Sequence, residues 1–232
     1  MAIDAMIDRF RATGCAYAID GKQGGRILSP LQQVDYRDFS ANPQDWGTSW
    51  ASFEIKQGLI QYGDDTVSSD SAGNLVSSNS TINYRRIYVP IDLRGYTGNF
   101  SLMWQGDCTS GSAIFNQGSG GSSKVTVQLS AATTTDSGYF AMGNGTKKFS
   151  IGVNKEIATP GKMTYLVSVN RETGEVYVYA NGVIAGSGTM PDDFGALNPD
   201  ANSEYITVRL VDGLSRFAFW PRALSAEEVA AL

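Results

Sequence analysis

Turn chemistry cuts the latter part of this chain into short apolar runs, and that punctuation narrows its fold more than any other feature. Asn144-Gly145, Thr173-Gly174, Asn181-Gly182 and Asp212-Gly213 are tight-turn pairs, and 118–123 is a polar, glycine-rich loop. Between them lie runs with a period of two. In 124–130, Val125, Val127 and Leu129 alternate with Thr126, Gln128 and Ser130, which gives one apolar and one polar face. Segments 85–91, 99–105, 139–142, 149–153, 163–169, 176–180, 205–211 and 214–220 continue the series, with short strands also expected at 16–19 and 26–28. Short strands joined by tight turns predict an all-β fold, an antiparallel β-sandwich of the jelly-roll type.

The rest of the chain is less regular. Ile3, Met6, Ile7 and Phe10 fall at i, i+3, i+4 and i+7, opposite Asp4, Asp8, Arg9 and Arg11, so a short amphipathic helix is expected before Gly14. Its apolar face needs a cover: its own domain, copies of itself, or a neighbouring protein. Segment 42–50 holds Pro43, Trp46, Gly47 and Trp50 and reads as a packed loop, whereas 63–83, rich in Ser, Asp, Asn, Gly and Thr, reads as an exposed loop or hairpin tip. These features divide the chain into an N-terminal helix and extended anchoring segment, 1–50, and a sandwich, 51–232. At the other end Ser225 and Glu228 have the spacing of a capping box and open a short closing helix.

Composition excludes several functions. The net charge of −5 offers no basic field to a nucleic acid. No run of about 18 apolar residues is present to insert in a membrane as a helix. Asp4 and Asp8 stand where a secretory leader would be basic and then apolar, so synthesis in the cytoplasm is expected. Cys15 and Cys108 are the only cysteines, too few for a disulfide framework, and are expected to be free thiols. Histidine is absent, which removes the commonest general base. None of the seven glutamates, Glu54, Glu156, Glu172, Glu175, Glu204, Glu227 and Glu228, has an acidic residue at i+2. A glycosidase needs two carboxylates flanking one bond, and nothing in the sequence suggests that pairing. No catalytic residues are assigned, and the chain is expected not to be an enzyme.

Two segments carry a resemblance to a known family. Residues 161–169 and 174–182, Gly-Lys-Met-Thr-Tyr-Leu-Val-Ser-Val and Gly-Glu-Val-Tyr-Val-Tyr-Ala-Asn-Gly, followed by 212–229 with its Arg222-Ala223-Leu224-Ser225-Ala226-Glu227-Glu228 closing run, resemble the laminin-G-like branch of the concanavalin A-like lectin and glucanase superfamily. The resemblance covers roughly 85–232 and implies a final strand handing over to a helix that plugs the sandwich end, with Leu224 as plug, Ser225 as cap and Val229 as second buried contact. It implies no resident cofactor, with calcium at the rim of the sandwich as the one candidate; Asp64-Asp65 and Asp192-Asp193 are the pairs that could hold it, although paired aspartates beside Gly or Pro also suit turns.

Sugar binding on such sandwiches uses an exposed aromatic with polar neighbours. Trp46, Trp50, Trp104 and Tyr139 are the candidate platforms, each weighed against ordinary burial. Laminin-G-like domains of this plain kind recur in bacteriophage virion proteins and in secreted adhesins. The resemblance, the expected cytoplasmic origin and the apolar face of Ile3, Met6, Ile7 and Phe10 together lead to the expectation of a non-enzymatic virion structural protein, a capsid decoration or tail-associated protein. Its partners would be other virion proteins or copies of itself, and host glycans. The alternative is a carbohydrate-binding lectin or adhesin of a bacterial surface.

Overall fold

The computed structural model describes residues 91–108, 113–118, 124–203, 205–210 and 213–232, together with the strands at 17–20, 26–28, 60–61, 67–69, 75–77 and 86–89. In chain order the strands are β1 (Tyr17–Asp20), β2 (Arg26–Leu28), β3 (Ile60–Gln61), β4 (Val67–Ser69), β5 (Leu75–Ser77), β6 (Arg86–Val89), β7 (Phe100–Cys108) and β8 (Ala113–Gln117). They continue as β9 (Val127–Ser130), β10 (Gly138–Gly143), β11 (Lys148–Val153), β12 (Gly161–Val169), β13 (Glu175–Ala180), β14 (Val183–Thr189), β15 (Ile206–Arg209) and β16 (Gly213–Trp220), before one helix, α1 (Ala226–Ala231). Two antiparallel sheets result. One runs β14-β13-β12-β7-β16-β1-β2, with the β4–β5 hairpin joined to it at Leu214↔Leu75, and the other runs β11-β10-β9-β8-β15-β6-β3. This is a β-sandwich of the jelly-roll kind.

Alternation explains which side chains meet. Phe100, Leu102 and Trp104 of β7, Tyr165, Val167 and Val169 of β12, and Val176 and Val178 of β13 point inward from the first sheet. Phe115, Leu129, Phe140, Met142 and Val208 meet them from the second. Each such side chain contributes about 1.5–3 kcal/mol by leaving water, before ordering costs. The Asn181-Gly182 turn between β13 and β14 has φ values of 50° and 80°, which the sequence pair anticipates.

The structure adds detail that the sequence expectation lacks. Strand β14 was not foreseen, because its Val-Ile-Ala-Gly-Ser-Gly-Thr sequence lacks alternation; the glycines serve close packing against the other sheet. A Cβ on Gly186 would lie 2.4 Å from the carbonyl oxygen of Gly152 in β11. Segment 63–83 contains the β4–β5 hairpin, the second of the two alternatives read from its sequence. The hydrogen bonding also does not divide at residue 50, since β1 pairs with β16 from Tyr17↔Phe219 to Asp20↔Arg216, and β2 with β1. Residues Ile3, Met6, Ile7 and Phe10 lie outside the described part of the chain.

Candidate functional site

The outer face of the first sheet carries a second layer. Register places Tyr177, Ser168, Ser101 and Trp220 in one row across β13, β12, β7 and β16, and Tyr179, Leu166, Met103 and Ala218 in the next. The chain leaving β16 turns over these rows, and Leu224 of the turn, Val229 of α1 and Leu232 after it lie on Met103, Leu166, Tyr179 and Trp220. Two buried serines fix the turn. Ser101 Oγ donates to the Arg222 carbonyl (3.0 Å) and accepts from the Leu224 N–H (3.0 Å), while Ser168 Oγ donates to the Leu224 carbonyl (2.9 Å).

The cap then forms as the sequence spacing implies. Ser225 Oγ accepts from the Glu228 N–H at 3.3 Å, and Glu228 Oε2 accepts from the Ser225 N–H at 2.9 Å. Arg222 donates to both carboxylate oxygens of Glu228, Nη1 to Oε2 at 2.9 Å and Nη2 to Oε1 at 2.5 Å. That guanidinium holds the Glu228 carboxyl below its usual range and is itself pushed up in return. Leu224 and Val229 are buried, as the resemblance implied.

Beside this closing turn the sheet is open. A groove of about 410 Å³ runs along β13, floored by Tyr177 and Tyr179, walled by Ile184 on one side and by Ala223, Leu224 and Ser225 on the other, with Ser168, Asn170 and Glu175 supplying polar groups. Its position follows from the Glu175-Val176-Tyr177-Val178-Tyr179 alternation: the valines enter the core, and the carboxylate and both phenols share the outer face. The tyrosine rings lie 6.2 Å apart at 39°. Tyr179 is almost wholly covered and Tyr177 half-buried, so Tyr177 presents the accessible ring. Val183 and Ile184, at 55% and 45% exposure, are the large apolar side chains most exposed among the described residues, and both sit at this edge.

The groove is acidic. Glu175 Oε1 accepts from the Tyr177 hydroxyl (3.3 Å) and Oε2 from Thr173 Oγ1 (3.1 Å), which leaves further lone pairs on both oxygens. Burial raises the Tyr179 phenol, and the neighbouring Tyr177 and Glu227 raise it further. A ring face beside apolar walls and fixed acceptors is suited to a ligand with alternating C–H and O–H surfaces.

The residues singled out from sequence do not assemble here. Trp104 is a correction: it is fully buried on the inward side of β7, 6.4 Å from the Tyr165 ring, and its indole N–H donates to the Arg209 carbonyl at 3.0 Å. It cannot stack on a ligand. Tyr139 lies on the outer face of the other sheet; its hydroxyl accepts from Gln128 Nε2 at 2.6 Å, and Lys148 Nζ stands 5.4 Å from the ring centroid. Asp192 and Asp193 occupy a single exposed 3-10 turn, where Asp193 pairs with Lys147 and its carboxyl is lowered by that contact. Among the described residues no three or more His, Cys, Asp or Glu side chains cluster to hold a metal. Cys108 is buried, and Tyr165 beside it is pushed up to about 12, first by burial and then by the Cys108 side chain. Trp46, Trp50, Asp64 and Asp65 lie outside the described residues. Tyr177, Tyr179 and Glu175 were legible in the sequence only as a structural strand, although their common spacing of two was the available signal.

No protein-family model matches this chain, and no curated protein is significantly similar to it. Solved structures are. The binding domain of Paraclostridial Mosquitocidal Protein 1 aligns over 94% of this chain and 51% of its own, at 13% identity and a TM-score of 0.57. The binding domain of botulinum neurotoxin DC, solved with rat synaptotagmin II, aligns over 75% of this chain and 45% of its own, at 10% identity and a TM-score of 0.53. A botulinum neurotoxin type C structure, described as depending on two ganglioside molecules for cell entry, gives the same coverages at 10% identity and a TM-score of 0.52. The chain therefore spans about half the length of each of these three structures. At these identities the likeness is one of fold alone, an antiparallel β-sandwich.

Proposed function

We propose that this chain is a non-catalytic, glycan-binding module whose ligand lies in the Tyr177–Tyr179 groove. The observation that carries the proposal is the accessible Tyr177 ring set beside Glu175 and exposed Ile184 in one open groove. Tyrosine supplies a stacking face for the C–H side of a pyranose, and the carboxylate accepts from its hydroxyls. That the solved neighbours include binding domains is consistent with a binding role. Tyr177→Ala should weaken retention on a glycan array by about tenfold or more, the scale of losing one aromatic anchor, in protein that still unfolds cooperatively at a somewhat lower temperature, since the ring also packs on the second core cluster. Full retention by that variant would sink the groove assignment.

The setting we favour is a bacteriophage virion, in which the sandwich is displayed outward as a capsid decoration or tail-associated protein. This rests on the resemblance of the closing motif to laminin-G-like domains and on the apolar spacing of Ile3, Met6, Ile7 and Phe10. Mass spectrometry of purified particles tests it: absence of the chain from every particle fraction would leave the bacterial-surface lectin as the better setting. Catalysis is expected to be absent, so incubation with β-glucans, alginate or peptidoglycan should release no product above background. Turnover abolished by a single Glu→Gln change would overturn that expectation.

A further inference from the structure

We infer that the groove selects neutral sugars over acidic ones, so that a sialylated, uronic or sulfated residue is disfavoured at the Tyr177 position. This rests on the glycan-binding proposal above and adds the class of ligand. No lysine or arginine is among the described residues that line the groove, whereas Glu175 opens onto it. Glu227 sits close enough to act on the Tyr179 phenol, and its Oε2 accepts from Ser225 Oγ at 2.8 Å on the opposite wall. The nearest cation of the closing turn, Arg222, is engaged in both carboxylate oxygens of Glu228. An anionic sugar placed on Tyr177 would therefore meet the Glu175 carboxylate, with Glu227 behind Ser225 adding to the negative field, and no opposing charge among the described residues that line the groove. Recognition of acidic glycans relies on charge-assisted bonds from Arg or Lys, and the groove has none to offer. Neutral hydroxyls, by contrast, donate to the Glu175 carboxylate, which is an acceptor only.

The experiment uses the full chain on an array of matched glycans: lactose with 3′-sialyllactose, and methyl-esterified tetragalacturonate with tetragalacturonate, each read at low and at high salt. Neutral members should be retained about five- to tenfold better than their acidic partners at low salt, and high salt should narrow the gap as the carboxylates are screened. Glu175→Gln should weaken the neutral glycans and narrow the same gap, while Tyr177→Ala should remove both. Acidic glycans retained as well as neutral ones and lost in Tyr177→Ala would overturn the selectivity and leave the glycan-binding proposal standing. Retention of no glycan, or retention indifferent to Tyr177→Ala, would overturn the glycan-binding proposal and the selectivity with it.

Discussion

Ser101 shows how much a single polar residue can determine. It is fully buried on the outer face of β7, and its hydroxyl serves the Arg222 carbonyl and the Leu224 N–H at once. Ser101→Ala removes both bonds and leaves a buried N–H without a partner, a loss of about 1–3 kcal/mol. Ser168→Ala removes one bond to a carbonyl and should cost less, about 1 kcal/mol. Urea unfolding would rank the two; a Ser101 variant as stable as the native chain would mean that the turn is held by other contacts. Neither serine stands out in the sequence, because the value of each comes from the register Ser168↔Ser101, which pairs strands more than sixty positions apart. The same cause hid the role of Trp104. Its polar neighbours Gln105 and Asp107 suggest a surface, but strand alternation turns it into the core with Phe100 and Leu102.

At the scale of elements, legibility follows alternation. Strands β7, β12 and β13 were visible because their apolar faces run unbroken. Strand β8 was not, since a register shift between Ala113 and Phe115 places buried Ile114 and Phe115 side by side and interrupts the period. Strand β14 was obscured by its close approach to β11. Gly186→Ala should force the Gly152 backbone aside and cost about 1–3 kcal/mol by overpacking. The closing helix was the most legible element of all, because its capping box is a local signal that needs no partner strand. Leu224→Ala should cost about 2–5 kcal/mol through the cavity it leaves, and Ser225→Ala about 1 kcal/mol through loss of the cap. Acid should loosen the same helix. The folded-state pKa of Glu228 lies below its unfolded value, chiefly through Arg222. Its contribution is therefore complete above the ordinary glutamate value of about 4.3 and is lost as pH falls through the lower folded value. A melting curve followed from pH 6 to pH 3 should show a shallower acid loss in Glu228→Gln than in the native chain.

The whole molecule depends on its N-terminal segment more than the boundary at residue 50 suggests. Strand β1 covers one edge of β16 over four residues, from Arg216 to Phe219, and β2 in turn covers β1. Strand β16 is buried along its entire length and carries the chain into the closing turn, so exposing its edge would leave unpaired backbone groups beside Phe217, Ala218 and Phe219. Two truncations separate this role from any anchoring by the first residues. Removal of 1–12 takes away Ile3, Met6, Ile7 and Phe10 but no described pairing, and it should leave the melting temperature near native while abolishing self-association or particle binding if that apolar face is the anchor. Removal of 1–28 takes away β1 and β2 as well. It should lower the melting temperature by more than about 5 °C, since each kcal/mol lost moves a protein of this size by about 2–4 °C, and the bared edge should promote aggregation detectable by light scattering. If the longer truncation melted with the native chain and stayed monomeric, β1 would be an accessory to the sheet, and the sandwich would be complete without the first fifty residues.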